Sequence, residues 1–181
     1  MNKGNSMKSQ KGLVLKIIVP VLILSVLAGI WLVKNNRKDT GAAGSDNPDF
    51  ALHVTQKLDL ERLKSYGIPI VIDFGSDSCI PCKQMAPVLE ELNKELQGKA
   101  IIKFVDVWKY QDLAEGYPIN VIPTQILIDA NGKPYKPSDP EAIQMIMYSK
   151  KDTGEHVFTA HEGGITKERL LSALKEMGLK E

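Results

Sequence analysis

Residues 68–74, IPIVIDF, form a β-branched run without a polar residue before Asp73. A strand of that composition is stable only when apolar groups cover both of its faces, which places it inside a sheet with helices on either side. AIIKFVDV, from Ala100, is a second run of the same kind, and between the two QMAPVLEELNKELQ sets apolar residues at 85, 88, 89, 92 and 96, an amphipathic helix ending near Gly98. Residues 50–54 read as a short leading strand, LDLERLKSYG as a helix stopped by Gly67, and DLAEGY as a short helix. TQILIDANG reads as a strand closing in an Asn131-Gly132 turn, EHVFTA as a strand, and TKERLLSALKEMG as a helix capped by Thr166 and stopped by Gly178. The expected fold class is an α/β sandwich with a central mixed sheet flanked by helices. Residues 133–154 exceed what that pattern needs. Ile143, Met145 and Met147 there alternate as a strand turning at Asp152-Thr153-Gly154. A short helix is the competing reading, and a longer loop is preferred to a partner-binding insert.

The first forty residues obey other rules. Residues 17–33, IIVPVLILSVLAGIWLV, carry no charge, and Leu13 to Leu15 extend the apolar stretch across Lys16. About 20 such residues cross a bilayer as a helix. Pro20 near its start is tolerable in lipid, and Trp31 falls at headgroup level. A cleavable signal peptide competes, since Lys3, Lys8, Lys11 and Lys16 make a positive leader, but the run is long and ends in KNNRK without an A-x-A site. The expectation is a basic segment over 1–12, one transmembrane signal anchor over 13–33, a flexible linker over 34–49 and a folded domain over 50–181. The positive-inside bias is slight, and a single anchor ahead of a folded domain favours the amino terminus inside and the domain outside. Residues 1–38 hold seven of the 23 basic residues and none of the 22 acidic ones, leaving 16 basic and 22 acidic, a formal charge of minus six. A domain of that charge carries no footprint for nucleic acid.

Both cysteines lie in DSCIPCK, at Cys79 and Cys82, and three chemistries compete for them. Zinc would need His156 and His161, but 73 residues separate Cys82 from His156, against roughly 12–15 in a compact finger. The odd separation of these histidines also points them to opposite faces of a strand. His53, His156 and His161 read as surface or strand-edge residues, and no metal or other cofactor is expected. A structural bridge across two residues removes little entropy from the unfolded chain. The redox reading accounts for more of the surroundings. Cys79 stands just before a helix that begins at Ile80 or Pro81, where unpaired N–H groups and the positive end of the helix dipole favour thiolate over thiol. Cys82 lies one turn further in, and Pro81 suits a first turn, where a missing N–H costs nothing.

CIPCKQMAPVLEEL resembles the C-x-P-C-K-x-x-A-P-x-L-x-E-L signature of the thioredoxin superfamily, Pro87 included. VIDF resembles that family's V-x-D-F strand, with Asp73 nine residues before Cys82, and VIPT at 121–124 resembles the cis-proline segment, with Pro123 41 residues after Cys82. The resemblance covers about residues 50–178 and implies a thioredoxin fold. It implies that Cys79 attacks a substrate disulfide, that Cys82 resolves the mixed disulfide, and that Asp73 relays a proton through water. It also implies a cis bond at Pro123, whose neighbour Ile122 pairs with the substrate strand. Ser78, Ile80 and Pro81 complete the substrate-binding surface. Three features depart from the family: Ser78 replaces the tryptophan that commonly precedes the first cysteine, the insert lengthens the chain after the cis-proline strand, and Phe104 takes the place of the lysine often paired with the aspartate. Lys103 beside it reads as a surface charge.

With the anchor, the resemblance narrows to membrane-anchored thioredoxin-like proteins of the TlpA group and the partners of DsbD. These receive electrons from CcdA- or DsbD-type transmembrane carriers and reduce extracytoplasmic protein disulfides, including those of apocytochrome c. The Ile80-Pro81 dipeptide is closer to the reducing thioredoxins than to the oxidising Dsb type. Disulfide oxidation or isomerisation, and a non-catalytic binding module, are the alternatives.

Overall fold

A computed structural model of the chain describes residues 47–141 and 144–180. The anchor over 13–33, the basic segment over 1–12 and the linker up to residue 46 lie outside the described residues. Among the described residues no helix is long and apolar enough to cross a membrane.

Six strands form one sheet: β1 (His53–Val54), β2 (Ile70–Gly75), β3 (Ile101–Asp106), β4 (Thr124–Ile128), β5 (Met145–Ser149) and β6 (His156–Glu162). Their spatial order is β1-β3-β2-β4-β6-β5. β3 runs parallel to both β1 and β2, whereas β2 with β4, β4 with β6 and β5 with β6 are antiparallel. The sheet is therefore mixed, as the alternation of elements predicts. Every residue of β2, β3 and β4 is buried, so the runs without alternation are covered on both faces.

Period-2 side chains divide the core. Val71, Ile102 and Leu127 pack with Met85, Leu89 and Leu92 of helix α2 (Ile80–Glu95) and Leu170 and Leu174 of α3 (Lys167–Glu176). On the other face Ile70, Ile72, Phe74 and Ile126 pack with Leu63 of the short helix α1 (Leu60–Lys64) and with Phe50. Asp59 caps α1 by accepting from the Arg62 amide, and Thr166 caps α3 by accepting from the Arg169 amide.

Three expectations need correction. Residues 47–49, expected as linker, belong to the folded domain: Asn47 caps a 3-10 turn over Pro48–Phe50 that packs against β3. There Asp49 is buried and accepts from Arg62 Nη2 at 2.6 Å and from the Tyr66 hydroxyl at 2.9 Å. Lys103 is not a surface charge. It is 3% exposed and donates to the carbonyls of Pro48 at 3.1 Å and Ala51 at 2.7 Å. Burial pulls its pKa down to about 8, opposed by the nearby Asp49 charge and assisted by Arg62. Finally, the 133–154 segment contains the expected strand but not its expected alternation. Its second half is β5, the sheet's edge strand, paired with β6. The expected alternation fails because Ile146 and Met147 are both exposed and only Met145 is buried; Ile143 lies outside the described residues.

Asp49 joins the 3-10 turn to α1 and faces the buried Lys103. Asp49→Ala leaves the Tyr66 hydroxyl and Arg62 without their acceptor, so it should lower stability by about 1–3 kcal/mol. Urea unfolding of parent and variant checks the value.

Candidate active site

The tight exit from β2 into α2 positions the cysteines. A Cβ on Gly75 would stand 2.9 Å from Phe104 Cε2, so only glycine fits there. Cys79 then takes the N-cap position of α2, with its sulfur accepting from the Cys82 amide at 3.4 Å. Cys79 and Cys82 form a disulfide with their Cα atoms 5.3 Å apart. Cys79 is half-buried at the mouth, while Cys82 is 3% exposed. On reduction, the first-turn N–H groups and the helix dipole act on the outer sulfur and favour its thiolate.

The other predicted residues gather around this pair. The Ile122–Pro123 peptide bond is cis, and the Ile122 carbonyl oxygen lies 3.9 Å from Cys79 Sγ. Pro123 is buried, Ile122 half-buried, and Ser78, Ile80 and Pro81 are exposed. Ile80, Val121 and Trp108 are 72%, 49% and 59% exposed. The site is thus bordered by apolar side chains with no aromatic residue directly before Cys79. Asp106 ties the Trp108 loop to this border: its carboxylate accepts from the amides of Asp77, Trp108 and Lys109 at 3.0–3.1 Å. Lys109 in turn bridges Asp77 and Asp106. Burial pushes the Asp106 pKa up, but these amides and Lys109 outweigh it and hold the carboxylate below its usual range.

Asp73 lies behind the cysteines, 1% exposed, on the sheet face that carries α2 and α3. Its Oδ2 and Cys82 Sγ each lie 3.3 Å from the point a Cβ on Gly75 would occupy, so the missing side chain leaves the carboxyl open to the inner sulfur. Desolvation raises the Asp73 pKa from 3.8 to about 7, against a hydrogen bond from Gln125 that lowers it. Gln125 Nε2 donates to Asp73 Oδ1 at 2.7 Å, and Gln125 Oε1 lies 2.8 Å from His161 Nδ1. Sequence reasoning missed both partners. Its placement of His161 at the surface or strand edge is corrected, since His161 is 3% exposed. The only signal was register, since Asp73 pairs with Gln125 and Gln125 with His161 on successive strands. His156 is half-buried and bonded to the Thr159 hydroxyl at 2.9 Å. Among the described residues no group of three or more histidines, cysteines or carboxylates is placed to hold a metal ion.

The raised pKa makes Asp73 a stability liability with a definite pH window. Below pH 3.8 the carboxyl is protonated in both folded and unfolded chains and costs nothing; between 3.8 and about 7 the unfolded chain ionises while the folded one keeps its proton. Above that window the cost is constant at about 4 kcal/mol, taking ~1.4 kcal/mol for each pH unit of the raised pKa. Asn at position 73 keeps an acceptor for Gln125 and removes the charge. Asp73→Asn should therefore stabilise the oxidised protein at pH 8 by up to about 4 kcal/mol and leave it unchanged below pH 4, as urea unfolding across that range will show.

The thioredoxin family model matches residues 52–151. Thioredoxin C-2 of Corynebacterium nephridii is 46% identical over 59 residues, covering 33% of this chain and 55% of that protein. Chloroplastic thioredoxin Y of Oryza sativa subsp. japonica is 36% identical over 74 residues, covering 41% of this chain and 44% of that protein. The chain spans about half the length of these two relatives. A solved thioredoxin from Halobacterium salinarum NRC-1, a point mutant, superimposes with a TM-score of 0.50 over 76% of this chain and 98% of that one, at 22% identity, a likeness of fold. The family model covers more than half of the residues, and this chain belongs to the thioredoxin family.

Proposed function

We propose that this chain is a membrane-anchored thiol-disulfide oxidoreductase whose domain stands on the extracytoplasmic side and reduces protein disulfides. One observation carries the chemistry: Cys79 sits at a helix N-terminus beside the Ile122 carbonyl, with Cys82 and Asp73 sealed behind it. The reduced Cys79 thiolate attacks one sulfur of the substrate disulfide and releases the other as a thiolate that takes a proton from water. Cys82 then gives its proton to the Asp73 carboxylate and attacks Cys79 Sγ. The mixed disulfide breaks, the second substrate thiolate leaves, and Asp73 returns the proton to it or to water. Two electrons pass to the substrate, and the chain ends as the disulfide.

The uncharged run over residues 17–33 supports the anchor. An extracytoplasmic domain needs electrons from across the membrane, and a transmembrane thiol carrier of the CcdA or DsbD type fits that need. Apocytochrome c is one candidate substrate. The exposed Ile80, Trp108 and Val121 suit an extended peptide with apolar side chains next to its cysteine.

Equilibration of the chain with dithiol redox buffers, read by thiol alkylation, tests the direction. A midpoint near ~−270 mV is expected, and one near ~−120 mV would assign disulfide formation instead. Cys79→Ser should abolish turnover, and a variant that keeps full biological effect would mark the domain as a holding module. Alkaline carbonate should leave the chain in the membrane fraction, and its release would remove the anchor from the reading.

A further inference from the structure

A single row of side chains crosses the sheet beneath the site: Phe104 on β3, Asp73 on β2, Gln125 on β4, His161 on β6 and Met145 on β5, each in register with the next. The middle three are polar and each of these three is at most 3% exposed, and apolar residues close both ends of the row. A buried polar run of this kind is costly unless its hydrogen bonds are complete. It is complete except at one atom: Asp73 Oδ2 is the one buried side-chain oxygen or nitrogen without a hydrogen-bond partner among the described residues.

The orientation of the Gln125 amide follows from its neighbours. Its nitrogen faces two acceptors, Asp73 Oδ1 at 2.7 Å and the Gly163 carbonyl at 3.2 Å, and also Met85 Sδ at 3.3 Å. A flipped amide would set its oxygen against the Gly163 carbonyl oxygen at every pH, and against the Asp73 carboxylate when that is ionised. Its own oxygen must then accept from His161 Nδ1–H at 2.8 Å, which selects the tautomer of His161. Held in this way, Gln125 can only donate to Asp73. Oδ1 is thereby occupied as an acceptor, and a proton on the carboxyl has to reside on Oδ2, the oxygen that shares the space over Gly75 with Cys82 Sγ.

We infer that Gln125, oriented by His161 and the Gly163 carbonyl, is a positioning residue that confines proton exchange by Asp73 to Oδ2, facing Cys82. The inference rests on the oxidoreductase reading and extends it. In the resolving step the Cys82 S–H bond breaks, its proton passes to Oδ2 directly or through one water, and the sulfur electron pair forms the bond to Cys79 Sγ while the substrate thiolate leaves. Gln125 and His161 exchange no electrons and no protons with the substrate. Among the described residues, the titratable and charged groups that act on the row are Cys82 from α2, His161 from β6 and Arg169 from α3. Burial keeps the His161 pKa below its usual value, the Gly163 backbone opposing this and the Arg169 charge adding to it.

The test is the pH profile of kcat for reduction of a protein disulfide such as insulin by the full chain, with thermal unfolding as a control for folding. Gln125→Leu removes the donor to Oδ1, frees the proton to occupy either oxygen and makes the carboxylate harder to form. It should lower kcat at pH 7 by about tenfold, a part of the ~10²–10⁴ that a positioned base contributes. It should also move the rising limb of the profile up by about one pH unit. His161→Leu should move the limb the same way by less, and His161→Gln, whose amide can donate to Gln125 Oε1, should restore the parent profile. A folded Gln125→Leu with the parent profile, or with an equal loss at every pH, overturns the inference. Should that variant fail to fold, the two His161 variants decide on the same criterion. A parent chain that turns over no disulfide overturns the oxidoreductase reading and this inference with it, whereas a working parent with unmoved variants overturns this inference alone.

Discussion

Burial of β2 on both faces is the constraint from which the rest of this domain follows. Ile70, Ile72 and Phe74 point to one helical layer and Val71 and Asp73 to the other, so covering the strand on both faces carries a carboxyl into the interior. The same burial forces its exit to be abrupt. Gly75, pressed against Phe104, is where the chain leaves the sheet, and a few residues later the N-terminus of α2 receives Cys79. Packing of one strand therefore sets the position of the inner acid and of the outer sulfur together.

The two sulfurs experience opposite environments for related reasons. Cys79 lies where the helix presents unpaired N–H groups to solvent, so charge on its sulfur is favoured. Cys82, a turn deeper and 3% exposed, lines one small cavity with apolar Phe104 and Leu89 and lies beside a carboxyl that desolvation keeps protonated up to about pH 7. A thiol in such a place needs a nearby base to become a nucleophile, and a buried carboxyl with a pKa near the working pH is suited to that role. The hydrogen bond from Gln125 restrains how far desolvation can push that pKa. The fold thus holds the carboxyl between two opposed effects, both set by sheet register.

The cysteines, the helix they begin and Asp73 were legible in the chain because each is announced by near neighbours. Pro81 marks a first turn, 85, 88, 89, 92 and 96 mark one helical face, and IPIVIDF marks a doubly covered strand. His161 was misread for a reason that can be named. EHVFTA looks like a final strand, and a final strand is ordinarily an edge, where a histidine is solvated. Here residues 145–149, a strand that sequence alone could not place in the sheet order, pair outside it and convert β6 into an inner strand. Met145 then lies in register with His161 and covers its outer side. Lys103 was misread in the same way, since Pro48, whose carbonyl accepts from its ammonium, was assigned to the linker.

By itself, the sequence determined the mixed α/β class, the ends of α2 and α3, and the pairing of two sulfurs across a helix N-terminus. Those depend on periodicity, capping and turn chemistry over a few residues. Only the tertiary structure decided that Asp73, Gln125 and His161, spread over about ninety positions of the chain, share one face of the sheet and one chain of hydrogen bonds. Cross-strand register is set by how whole strands pack against each other, and no local stretch of this chain contains that information.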